Sequence, residues 1–282
     1  MSLKSRSWTA YEKNQLLSRG FSLSQLEQYG NKPVEYITHR ADFYDREFVV
    51  DERVLIPRVE SHGLVQLALS FLRFHTSIQP LNCFEVGTGS GCIGLSIFCE
   101  LPDFLKKQLN LFMGDLDPAC LEVSAINLRR LIPLLFQPKV KLLQSNLLSN
   151  FPHCAPNLIV ANLPYVPTAL LEVLDDSVKY FEPNLALDGG SDGLELIRKL
   201  IKQAITVLLP SGVLLLEIDE RSSISRNSLE LSDPNWLIAV FADEFQKQRY
   251  LVISQEQTCK KEWWRYLGDL NHCERPNVLR IL

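Results

Sequence analysis

The chain predicts a doubly wound α/β fold with a mostly parallel sheet of seven strands. Three observations carry that expectation. Short apolar runs alternate with helix-length amphipathic stretches from residue 60 onward. The first run ends in three alternating glycines and feeds a helix, "FEVGTGSGCIG". The second ends in an acidic residue, Asp115, where such folds meet a ligand beyond the carboxyl ends of their strands.

Taken in order, residues 1–40 hold two short helical patterns, around 8–18 and 22–30, separated by Gly20. Residues 41–58 alternate apolar and polar side chains around Asp45-Arg46, the pattern of a hairpin. Leu64, Leu67, Ala68 and Phe71 recur at helical spacing within 60–76. Strands are expected at 83–87, 111–115, 140–144, 158–162 and 212–218, with helices at 92–101, 117–131 and 191–208. Asp117 suits an N-cap and Pro118 a first turn. The stretch 165–190, rich in Pro, Gly and Asp, is too long for a plain connection and reads as a working loop. Beyond 220, "NWLIAVFADEFQKQ" fits either a helix or a strand, whereas "YLVISQ" and "NVLRIL" read as a sixth and seventh strand. The division expected is a helical segment over 1–40, a hairpin linker over 41–60 and one α/β domain over 61–282.

Composition narrows the function classes. The 282 residues are 46% hydrophobic and 22% charged, enough for one large core. With 29 basic against 33 acidic residues the net charge is −4, so no overall positive field attracts nucleic acid. The seven cysteines form no C-x-x-C pair and several lie in apolar segments, which suggests reduced thiols in a cytoplasmic compartment and no metal site. No run approaches a membrane span, and the N-terminus lacks the apolar stretch of a secretion signal. Its basic, serine-containing start would also suit import into a mitochondrial matrix.

The glycine loop supplies free backbone N–H groups at a helix N-terminus, and Asp115 suits the two hydroxyls of a ribose, although it could also be a helix cap, since Asp117 and Pro118 follow. Together they indicate a nucleoside ligand without separating a dinucleotide from S-adenosylmethionine. Glu85, a carboxylate inside the first strand, favours the latter, whose ammonium it could accept from.

The fourth strand ends in Asn162-Leu163-Pro164-Tyr165. Asn162 offers a side-chain oxygen, and Pro164 confines Leu163 to extended conformations that aim its carbonyl. Two adjacent acceptors suit one planar NH2, and Tyr165 could stack on the plane that carries it. Such a nitrogen is a poor nucleophile, so holding it in line with a methyl sulfonium is the chemistry these residues can supply.

At these residues the chain resembles the glutamine N5-methyltransferases that modify the Gly-Gly-Gln loop of peptide chain release factors. The likeness rests on residues 33–58, "GTGSGCIGL", "NLPYV" and "FEPNLALDGGSDGLELIRKLI". It implies a class I, Rossmann-like fold, S-adenosylmethionine as methyl donor and S-adenosylhomocysteine as product, and a monomer acting on a protein. By this resemblance Glu85, Gly87, Thr88, Gly89, Ser90, Gly91, Asp115, Asn146, Leu147 and Asn162 hold the donor. Asn162, the Leu163 carbonyl, Pro164 and Tyr165 hold the amide, with Arg58 and Glu182 bordering the substrate. The wording departs from the family at Leu163, where a proline is usual, at "IPRVESH", and at Asn146, where an aspartate is common. A sister branch acts on a ribosomal protein, and Asn-Leu-Pro-Tyr also resembles the motif of ribosomal RNA adenine methylases, so both remain alternative substrates.

Overall fold

The computed structural model describes residues 6–74, 80–255, 263 and 277–281. Helix α1 (Ala10–Ser18) opens with a capping box in which Thr9 and Glu12 satisfy each other's backbone N–H groups. The pattern over 22–30 forms a 3-10 run, Leu23–Tyr29, rather than an α-helix. Its apolar residues Leu23, Leu26 and Tyr29 recur every third position, the 3-10 period, and pack on Leu16, Val34 and Ile37. Helix α2 (Val34–Thr38) leads into the hairpin of β1 (Arg40–Phe43) and β2 (Arg46–Val49). Phe43 pairs with Arg46, so the turn is Tyr44-Asp45, one residue earlier than expected, with both residues at positive φ as a twisted two-residue turn requires.

The remaining elements are α3 (His62–Phe74), β3 (Leu81–Val86), α4 (Cys92–Glu100), α5 (Asp103–Gln108), β4 (Leu109–Asp115), α6 (Pro118–Leu131), β5 (Val140–Gln144) and β6 (Leu158–Ala161). They continue with α7 (Asp176–Lys179), α8 (Glu195–Val207), β7 (Val213–Glu217), β8 (Trp236–Ala242), β9 (Gln248–Gln255) and β10 (Asn277–Ile281). The large sheet has eight strands in the order β10-β8-β9-β7-β6-β3-β4-β5, one more than the seven expected. The ambiguous stretch at 236–242 is a strand: a short apolar run carries no period to decide between helix and strand, and pairing with β9 settles it. Pairing is parallel from β5 to β7 and antiparallel for β9, β8 and β10.

Alternation along the central strands splits the core. Cys83, Leu111, Met113, Val160 and Leu215 face α3 and α4, while Phe84, Val86, Ile159, Ala161 and Leu216 face α8. Phe43 and Phe48 of the hairpin enter the first of these clusters, so the hairpin is part of the main core. The chain builds β3, β4 and β5 outward on one side and β6 and β7 on the other, which opens a crevice at the carboxyl ends of β3 and β6. The described cysteines 83, 92, 99, 120 and 154 are free thiols; Cys259 and Cys273 lie outside the described residues. No helix among the described residues is long and apolar enough to cross a membrane.

Candidate active site

The glycine loop follows β3 and is held almost wholly by backbone-directed bonds. Gly87 N and Thr88 N both donate to Gly114 O, at 2.8 and 3.0 Å. Asp115 Oδ2 accepts from Gly89 N at 2.8 Å, and Oδ1 accepts from Asp117 N at 3.0 Å. Ser124 Oγ donates to Gly89 O at 2.7 Å and Asn127 Nδ2 to Ser90 O at 2.9 Å. Gly91 caps α4 at φ 82°, a left-handed conformation that side chains rarely adopt, with Met113, Leu95 and Ser124 packed close beside it. Asp117, not Asp115, is the cap of α6, accepting from Ala119 N at 2.8 Å.

Glu85 stands behind this loop. Thr88 Oγ donates to its Oε2 at 2.6 Å and Gly94 N to its Oε1 at 3.0 Å, and burial pushes the carboxyl up to about 7. Gly94 is required here because a Cβ would collide with that carboxylate.

The Asn162–Tyr165 segment leaves β6 and is clamped from outside the sheet. Val166 N donates to Leu187 O and Gly189 N to Val166 O, at 3.0 and 2.8 Å. A Cβ on Gly189 would sit 2.6 Å from Tyr165 Cα and 2.8 Å from Pro164 O, so the glycines of "LDGGSDG" permit this clamp. The same wrap delays α8 to Glu195, four residues later than expected. Leu163 is buried among Phe84, Val86 and Ile159, reaching beneath Gly87, so leucine replaces proline by filling the core. Among the described residues, neither Asn162 Oδ1 nor Leu163 O accepts a hydrogen bond.

One pocket of about 190 Å³ lies between the two loops. Arg58, Gly87, Thr88, Gly89, Ser90, Asp115, Asn146, Leu147, Asn162, Leu163 and Pro164 all line it. Glu85, Gly91, Tyr165 and Glu182 are not among its lining residues. Tyr165 is turned away, its hydroxyl donating to Glu217 Oε1 at 3.0 Å. Buried Glu182 pairs with Arg58 Nη2 and accepts from Ile56 N at 3.4 Å, so it fixes the arginine at the pocket wall. Burial raises the Glu182 carboxyl and the Arg58 charge opposes the rise.

Over 220 residues, 78% of its length, the chain is 33% identical to a release factor glutamine methyltransferase of Deinococcus radiodurans, matching 73% of that protein. The chain belongs to the release factor glutamine methyltransferase family. A relative of the same name from Moorella thermoacetica is 38% identical over 186 residues, covering 66% of this chain and 62% of that protein. That from Leptospira interrogans is 38% identical over 198 residues, covering 68% and 64%. Against these two the chain spans less than two thirds of the relative. No family model matches the chain. Among solved structures, the human methyltransferase 10 domain containing protein shares the fold with a TM-score of 0.52 at 14% identity, over 89% of this chain and 98% of that one. The N-terminal domain of human METTL16 in complex with SAH does so with a TM-score of 0.51 at 13% identity, over 73% and 75%.

The family's characteristic wording thus has a structural reading here: "NLPYV" and "LDGGSDG" form one clamped unit. Sequence reasoning missed several pocket residues, among them Arg53, Ser61, Leu116, Ser145 and Leu196. Leu116 was within reach, since it follows the acidic strand end directly. Ser61 and Leu196 lie on elements remote in sequence and gave no local signal.

Proposed function

We propose that the chain transfers a methyl group from S-adenosylmethionine to the side-chain amide nitrogen of a glutamine in a peptide chain release factor. The observation that carries this reading is the pair of open acceptors, Asn162 Oδ1 and Leu163 O, beside a pocket walled by the glycine loop and Asp115.

The residues present fit the methyl donor. Each Asp115 oxygen accepts one backbone N–H and keeps a lone pair for a ribose hydroxyl. Leu116 and Leu147 offer apolar walls for a base, with Asn146 as a polar edge, and the Gly87–Ser90 loop leaves space for the rest. When bound there, S-adenosylmethionine supplies an electrophilic methyl group. Asn162 Oδ1 and Leu163 O then take the two N–H bonds of the glutamine amide, which fixes the nitrogen's direction and offsets the positive charge that grows on it. Pro164 holds the carbonyl's aim. Arg58, pinned by Glu182, borders the substrate. No strong base is called for, because the nitrogen becomes acidic as it turns cationic, and the proton it then loses passes to solvent.

We assign residues 1–40 to recognition of the protein substrate, and the monomer is the working form, acting in the cytoplasm where release factors are found. The test is radiolabelled methyl transfer to release factor, ribosomal protein and ribosomal RNA in parallel, with mass mapping of the product. A methylated glutamine in release factor is the expected result. Label in the RNA alone, or in the ribosomal protein alone, overturns the substrate.

A further inference from the structure

The steps above make no use of Glu217, a carboxylate at the end of β7 that is wholly enclosed. It accepts two hydrogen bonds, from Ser61 Oγ at 2.6 Å and from the Tyr165 hydroxyl at 3.0 Å. Ser61 Oγ in turn lies 2.9 Å from Asn162 Nδ2. The direction of each bond follows from the far end of this chain. A carboxylate only accepts, so Ser61 gives its single proton to Glu217. Ser61 Oγ is left with lone pairs alone, and whatever Asn162 turns toward it must donate. That is the NH2 end, which leaves the amide oxygen on the other side, toward the pocket Asn162 lines.

We infer that Ser61 and Glu217 are positioning residues that hold the Asn162 amide with its oxygen toward the substrate NH2. Without them the two ends of an asparagine are nearly isosteric, and the reversed amide would set NH2 against NH2. Glu217 also ties down Tyr165, so one buried carboxylate orients both ends of the Asn162–Tyr165 segment. Burial raises its carboxyl from the ordinary value, and the two hydroxyl donors and the Arg249 charge oppose that rise; in the ionised form it accepts from both hydroxyls and donates to neither.

The inference rests on the reading that Asn162 holds the glutamine amide, and its test has one arm that needs no substrate. In the full chain labelled with ¹⁵N, the Asn162 side-chain NH2 signal is assigned by its loss in Asn162→Ala. Its protons should exchange with solvent about tenfold more slowly in the wild type than in Ser61→Ala, with Ser61→Thr keeping the protection. In the second arm, methyl transfer to unmethylated release factor, Ser61→Ala should lower kcat about 10- to 100-fold while calorimetric affinity for S-adenosylmethionine is unchanged. Ser61→Thr should restore most of that loss. Glu217→Gln, whose amide can donate to Ser61, should impair transfer at least as much as Ser61→Ala. Equal exchange rates in wild type and Ser61→Ala overturn the inference, as does a Ser61→Ala enzyme with wild-type kcat or one that loses donor affinity in step with turnover. A wild-type chain that methylates no glutamine overturns the functional reading instead, and the exchange arm still decides the inference.

Discussion

The two loops that meet at the pocket are held in opposite ways. The glycine loop is fastened by its neighbours in and beside the sheet: Gly114 O, Asp115, Glu85, the first turn of α4 and the middle of α6. The Asn162–Tyr165 segment is fastened by two side chains far away in sequence, Ser61 and Glu217, and by the loop that follows it. Ser61 lies 101 residues from Asn162 and 156 from Glu217, and the clamping glycines come from a separate loop. The first arrangement makes a rigid floor that any nucleoside-binding protein of this fold can share. The second gives the chemistry its own supports, so that the group holding the substrate can change without disturbing the floor.

That separation predicts how each loop fails. The largest effect is expected from Asn162→Ala, which removes one of the two acceptors for the reacting nitrogen. Methyl transfer should fall about 10²- to 10³-fold, the scale of losing one aimed hydrogen-bonding group. Calorimetric affinity for S-adenosylmethionine should stay near the wild-type value, because the floor is intact. Retained turnover would sink the role given to Asn162. Asp115→Ala probes the opposite side and should weaken donor affinity by about 2 kcal/mol, roughly 30-fold, with a smaller effect on kcat at saturation. Unchanged affinity would count against the ribose contact.

Gly189→Ala tests the remote clamp. Its added Cβ would press on Pro164 O and Tyr165 Cα, so the segment must shift. Destabilisation of about 1–3 kcal/mol is expected in denaturant unfolding, accompanied by loss of kcat rather than of donor affinity. If transfer is untouched, the clamp does not set the aim of the Leu163 carbonyl.

What was legible in the sequence follows the same division. The glycines, Asp115 and the strand order are local in the chain, so pattern and spacing expose them. Asn162 and Pro164 were visible because a lone amide at the end of an apolar strand is costly unless it has a task. Ser61 and Glu217 were not, since a serine before a helix and a glutamate after "VLLL" acquire meaning only when the sheet brings them together. Tyr165 was expected against the substrate amide; the buried carboxylate next to it, unseen in the sequence, draws its hydroxyl the other way. Two elements were only partly legible. Leu23, Leu26 and Tyr29 give a helical pattern whose three-residue period makes it a 3-10 helix, and 236–242, left open between helix and strand, has no period to decide it.

The most gradual effect expected, small over any one pH unit, is on the pH dependence of stability, and it comes from the floor. Glu85 is driven up to about 7 chiefly by burial, with its Thr88 and Gly94 donors opposing the rise. Its carboxyl in the unfolded chain titrates near 4.3. The folded state therefore binds this proton more tightly, and stability from this group is fully present below the unfolded value and is lost as pH rises through the folded one. Between those two values the wild type should lose up to about 1 kcal/mol per pH unit from this site, a drop of a few degrees in Tm. Glu85→Gln keeps the acceptor for one donor and has nothing to titrate, so its Tm should fall less steeply over the same range. Parallel curves for the two proteins would mean that Glu85 does not titrate in that window, and that the glycine loop rests on a carboxylate already ionised. Donor affinity gives the matching check: Glu85 lies behind the loop and outside the pocket lining, so Glu85→Gln should change it less than Asp115→Ala does.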